Sequence, residues 1–434
     1  MKKPFTLGAP RLGALRLVGP LLLVLLLALV QPGRGQVPLS FRMERAGQEQ
    51  VRIPLQVQRN LPVVQVRLNG AGPYNFLLDT GVANTLLTDP AIADSLHLRH
   101  GQDFSVVGAG GKRATLVAYQ SPGVRVSLGR RGHGIVAEAM SLLVLAGDSL
   151  NLSGYVGMPV HGILGSELFH SLTVAFGGAD SETLVFTDPA AFRPPRGHRW
   201  TVVPLAIEGH KAYLTAAVRQ AGDAKARFLK LVLDTGASHA LSLETTSDPD
   251  LRLPNPRLYA ELGHGLGGPV HGSLGRVADV QLGPYQLRAV LTSFPNAADV
   301  HMRTDVPRNG NLGYDLLRRF RVVIDYPHQC LWLRPGPSFR EPFEHDMAGF
   351  ELLALGPALR RYQVTSVTPG SPAAAAGMEV GEELLTVGLA PVAALSLTQL
   401  SRLLNSNDGM ELFLVLRRPN GELHAANLRL KRRI

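Results

Sequence analysis

A chain of 434 residues is longer than one ordinary domain and points to about two to four compact units. With 45% hydrophobic and 18% charged residues it is globular rather than disordered, and 46 glycines and 31 prolines with few aromatics favour short strands joined by turns. The formal net charge of +10 owes much to the two ends (Lys2, Lys3, Arg11, Arg16; Lys431, Arg432, Arg433), and no Lys/Arg stripe interleaves with aromatics, so nucleic acid is not expected as a partner.

The first element in chain order is a leader. Residues 17–30, "LVGPLLLVLLLALV", are a 14-residue apolar run behind basic residues, the shape of a secretory signal within residues 1–35. The run is short for a membrane span, but no Ala-x-Ala site follows, so an uncleaved anchor is the second reading. Contact with a membrane is expected only through this segment, if it is uncleaved. Export to the periplasm, the envelope or the medium is expected. No Cys follows the run, which removes a lipoprotein reading, and the one cysteine, Cys330, cannot form an internal disulfide; its setting "HQCLWL" reads as a strand with a buried, inert thiol.

Beyond the leader the chain repeats itself. Asp79-Thr80-Gly81 returns as Asp234-Thr235-Gly236, 155 residues on, and Gly108-Ala109-Gly110-Gly111 returns as Gly265-Leu266-Gly267-Gly268, 157 on. "VSLG" at 126–129 returns as "VQLG" at 280–283, and "GILGSELFHSLTVAF" at 162–176 as "GNLGYDLLRRFRVVI" at 310–324. Four anchors in one order with a small drift in offset describe a duplicated lobe, residues 36–190 and 198–336, joined by the Pro/Arg-rich 187–199. Each lobe reads as β. A hairpin leads into each Asp-Thr-Gly, another closes each lobe, and "GSELFHSL" and "GYDLLRRF" are the short helix candidates.

After a second linker, 334–346, the character changes. Residues 345–434 give a strand, a Pro-Gly turn, an Ala-rich helical turn, a strand, an amphipathic helix with Leu397, Leu400, Leu403 and Leu404 on one face, and a hairpin turning at Asn420-Gly421. This is a separate α/β module.

One Asp-Thr-Gly alone is a common strand-ending turn. Two in duplicated lobes related by a pseudo-twofold can bring Asp79 and Asp234 together at the axis. Two carboxyls at close range cannot both ionise cheaply, so they titrate as a pair and supply an acid and a base at one pH. Competing motifs fail. "GHGLGG" at 263–268 precedes Pro269 rather than a helix, no His-Glu-x-x-His, Gly-x-Ser-x-Gly or complete P-loop occurs, and the 14 histidines are scattered. No metal and no cofactor is implied.

The duplicated Asp-Thr-Gly, the glycine-rich tetrads and the later apolar-Leu-Gly together resemble the retropepsin and pepsin clan of aspartic peptidases across residues 59–336, nearest to bacterial exported proteins with two fused retropepsin lobes and a PDZ domain. The resemblance implies an all-β fold of two pseudo-twofold-related β-barrel lobes followed by a small α/β PDZ domain. It implies catalysis by Asp79 and Asp234, with Thr80 and Thr235 holding the two loops across the lobe junction and Gly81 and Gly236 permitting the tight turns. It further implies flaps at Gly108, Gly110 and Gly111 and at Gly265, Gly267 and Gly268, and places Gly165 and Gly313 beneath the catalytic loops. Two departures stand out: Val82 where the family has Ala, Ser or Thr, and Asn311 where an apolar residue precedes Leu-Gly. Neither is expected to touch the carboxylates.

"SPAAAAGMEVGEELL", 371–385, is similar to the PDZ core, with the carboxylate-binding loop expected near Gly356–Leu359 and an extended or C-terminal peptide as its partner. The expected function is an aspartic endopeptidase acting on polypeptide substrates. The alternative is a non-catalytic envelope protein whose peptidase-like lobes and PDZ module bind peptides.

Overall fold

The computed structural model describes residues 40–106, 116–147, 150–177, 182–265, 268–300 and 306–434. The expected β architecture is present. In the first lobe the strands Leu61–Leu68 and Ala71–Leu78 pair antiparallel around an Asn69-Gly70 turn, where both residues take positive φ (49° and 86°), the conformation that lets a two-residue hairpin follow the twist of its strands. In the second lobe Lys211–Arg219 and Arg227–Asp234 form the equivalent hairpin with a longer turn.

Each hairpin delivers its chain to an Asp-Thr-Gly loop, and each second strand has a short parallel neighbour. Gly162–Leu164 lies beside Ala71–Leu78 with Ile163 opposite Leu77. Gly310–Gly313 lies beside Arg227–Asp234 with Asn311 opposite Val232. These neighbours are buried throughout, and the helices Glu167–Ser171 and Tyr314–Leu317 follow them directly.

The closing hairpins of the two lobes meet. Thr173–Phe176 pairs antiparallel with Phe320–Asp325, Val174 opposite Ile324, so one six-stranded sheet carries strands of both lobes. Its apolar face adds Val174, Phe186, Ile324 and Leu331 to a core running through both lobes. Burying each such side chain is worth about 1.5–3 kcal/mol, and the shared sheet fixes one lobe against the other. Cys330 starts the last strand of that hairpin, half-exposed rather than buried as the sequence suggests. Partial burial and the charge of Asp325 still push its thiol pKa up, away from nucleophilic use.

The C-terminal module has its own core, separate from that of the lobes. Its sheet runs in the order Phe350–Leu355, Arg361–Val367, Glu383–Val387, Glu411–Arg417, Leu423–Arg429. The helix Leu397–Leu404 begins at a capping box, Ser396 with Gln399, and buries Leu397, Leu400 and Leu404, while Leu403 is half-buried. The segment before the module is anchored: Arg319, 1% exposed, donates to the Ser338, Glu341 and Pro342 carbonyls and lies 3.5 Å over the Phe343 ring.

Candidate active site

The two Asp-Thr-Gly loops interlock. Thr80 Oγ1 donates to the Leu233 carbonyl (2.6 Å) and accepts from the Thr235 amide (3.0 Å). Thr235 Oγ1 donates to the Leu78 carbonyl (2.7 Å) and accepts from the Thr80 amide (3.1 Å). Both threonines are fully buried, so four polar groups that water cannot reach are satisfied by residues of the opposite lobe.

This interlock brings the carboxyls face to face. A Cβ placed on Gly81 would lie 2.8 Å from Asp234 Oδ1 and 3.0 Å from Asp79 Oδ1, and one placed on Gly236 would collide with the Asp79 carboxyl. Each glycine therefore leaves room for the opposite lobe's carboxyl. Asp79 Oδ1 accepts from the Gly81 amide at 2.6 Å. Beneath the loops, a Cβ on Gly165 would press on Asn84 and Thr85, and one on Gly313 on the His239 and Ala237 carbonyls, so only glycine fits there.

Electrostatics acts strongly on Asp79. Burial and then the charge of Asp234 raise the Asp79 pKa to about 7, outweighing the Gly81 amide and the field of Lys211. A second buried carboxyl lies behind the first loop: Glu167 accepts from the Thr85 amide (2.8 Å) and hydroxyl (3.1 Å), and burial lifts it to about 7.

The carboxyls open onto a cleft of about 1300 Å³ bordered by both lobes and by the C-terminal module. The second-lobe hairpin Arg257–Gly265/Gly268–Leu282 has Gly265 opposite Gly268 at its tip. His264, beside that tip, packs its ring at 33° against Tyr155 of the first lobe (centroids 4.3 Å) and shares a 2.9 Å hydrogen bond with its hydroxyl. Glu261 contacts His264 Nδ1 at 3.0 Å, which leaves Nε2 to accept from Tyr155. Gly108, Gly110, Gly111 and Gly267 lie outside the described residues.

The module's helix and edge strand face the first lobe. The Arg59 amide donates to Thr398 Oγ1 (3.1 Å), which donates to Gln58 (2.6 Å), while the Arg59 guanidinium donates to the Tyr155 carbonyl (3.0 Å) and pairs with Glu351 (3.1 Å). One arginine thus joins the module to the short helix Leu152–Val156 that bears Tyr155, the partner of His264. The Gly356–Leu359 turn, where a carboxylate-binding loop is expected, closes the hairpin Phe350–Leu355/Arg361–Val367, with the Leu359 amide donating to the Gly356 carbonyl.

The departures also resolve. Val82 does not distort its loop: its carbonyl accepts from the Ser166 amide (2.9 Å) as that of Ala237 accepts from Tyr314 (2.8 Å), and its side chain lines the cleft. Asn311 corrects the expectation that neither departure touches a carboxylate, because its Nδ2 donates to Asp234 Oδ2 at 2.6 Å. The available signal was one amide in an otherwise apolar, buried strand beside the strand that ends at Asp234. Tyr155 and Arg59 carry no such signal, since no pattern in the sequence marks a helix at 152–156 or sets the module beside it.

Residues 64–168 and 218–316 each match the family model described as "Aspartyl protease", and residues 363–418 the one described as "PDZ domain". No curated protein matches the chain. Among solved structures, basic 7S globulin from soybean aligns with 68% of this chain and 97% of its own at 10% identity and a TM-score of 0.37. The chain is a tandem of two retropepsin-like lobes of the aspartyl protease family followed by a PDZ domain.

Proposed function

We propose that this protein is an aspartic endopeptidase in which water held between Asp79 and Asp234 attacks the peptide carbonyl. The observation carrying the proposal is the reciprocal Thr80–Thr235 interlock, which sets two carboxyls against each other's glycines at the floor of a polypeptide-sized cleft. With one proton on the pair, the ionised carboxyl takes a proton from water while the protonated one hydrogen-bonds the carbonyl oxygen, and no covalent enzyme intermediate forms. The hairpin ending at Gly265 and Gly268 would close over the substrate and exclude water. The PDZ domain would bind an extended peptide or regulate the cleft it borders. The apolar run at 17–30 supports export as the setting of this activity.

The test is long incubation with a denatured polypeptide across about pH 3 to 8, read by mass spectrometry. New peptide termini on the acid side of neutrality, undiminished by a chelator, are expected. Unchanged masses alongside measurable peptide binding would make the lobes a binding module instead.

A further inference from the structure

The two halves of the site are not equivalent, and the difference lies in one strand. Asn311 stands in register beside Val232, two residues before Asp234, so its side chain rises on the same face as the Asp234 carboxyl. The first lobe has Ile163 at that place, beside Leu77 and two residues before Asp79. Asn311 is 8% exposed, and its Nδ2 reaches Asp234 Oδ2 at 2.6 Å; Ile163 can offer Asp79 nothing comparable.

We propose that Asn311 is a positioning residue that holds the resting negative charge on Asp234, making Asp234 the general base and Asp79 the proton-bearing acid. The inference rests on the peptidase reading and refines it. A carboxamide N–H bonds a carboxylate more strongly than a neutral acid, so it favours the ionised form of the group it touches. The Gly81 and Val82 amides also favour an ionised Asp79, but burial and the facing charge prevail there. Of the other groups acting on the pair, Lys211 favours an ionised Asp79, and Tyr326, beneath the loops, is a buried phenol held neutral by burial. Asp315, on the helix following Asn311, is engaged by Arg318.

The cycle then balances. Asp234 removes a proton from water as its oxygen bonds to the scissile carbon, and Asp79 gives its proton to the carbonyl oxygen, forming a neutral gem-diol. Asp234 next passes its proton to the amide nitrogen as the C–N bond breaks. A gem-diol hydroxyl returns a proton to Asp79, leaving acid, amine and the starting dyad.

Asn311→Ile, which copies the first lobe, tests the assignment in two ways. In the pH profile of kcat/KM, the acid limb is expected to rise by about one unit or more, since a hydrogen bond to a charged group is lost, with the loss in kcat rather than KM. In a catalytically silent Asp79→Asn background, carboxyl carbon NMR is expected to show the same upward shift in the Asp234 titration. If Asn311→Ile does not fold, Asn311→Ala gives the same comparison. An unshifted acid limb and an unshifted Asp234 titration overturn the assignment. If the wild type cleaves nothing while the NMR shift is present, the peptidase reading fails and the Asn311 contact stands.

Discussion

Thr80 and Thr235 are each both donor and acceptor for the other's lobe, through hydrogen bonds of 2.6 to 3.1 Å. Two lobes of one chain therefore share a closed, buried hydrogen-bond ring at the point where their carboxyls meet, and the spacing of the dyad follows from it.

Thr80→Val keeps the shape of the side chain and strands the Thr235 amide and the Leu233 carbonyl. The expected cost is about 2–4 kcal/mol of stability, from two buried groups left unpaired, measured by denaturant unfolding. Loosening the dyad should lower kcat by roughly 100-fold. Wild-type stability and rate in this variant would contradict the role given to the interlock.

The basic limb of the activity profile follows from Asp79. Activity needs one proton on the pair, so kcat/KM should fall as pH rises through about 7, where Asp79 loses its proton. A rate that is flat from about pH 6 to 9 would show that the pair does not share a proton in this way.

Glu167 gives a stability signature independent of activity. Its folded pKa of about 7 lies above the ordinary 4.5, so its contribution is fully present below 4.5 and is lost as pH rises through 7. Against Glu167→Gln, the wild type should lose about 3 kcal/mol of relative stability between those limits, read as the difference between two unfolding curves at pH 4.5 and 8. Asp346, also raised to about 7 by burial, titrates in the same direction in both proteins and cancels.

Much of this was legible in the sequence because duplication is an arithmetic signal: matched offsets placed the lobes, both aspartates, both threonines and both helices. The amphipathic spacing of Leu397, Leu400 and Leu404 likewise located the module's helix. The rest depends on contacts between segments remote in the chain. The sheet joining Val174 to Ile324 and the seam from Arg59 to Thr398 leave no periodic trace. Asn311 could be seen as a departure, but its partner could not, because only the parallel register of its strand beside Val232 aims it at Asp234.

The seam makes its own prediction. Arg59→Ala removes the Glu351 ion pair and the bond to the Tyr155 carbonyl together. Faster hydrogen exchange in Phe350–Leu355 and a severalfold lower kcat/KM on long polypeptides are expected, with each domain still folded. Unchanged exchange would mean that the PDZ domain borders the cleft without being held there by this residue.

The central claim is that one chain supplies both catalytic carboxyls, and the most direct measurement is cleavage of a denatured polypeptide by wild type, Asp79→Asn and Asp234→Asn, each shown folded by circular dichroism. The account expects new termini from the wild type and none from either variant. Cleavage that survives in either single variant would contradict it.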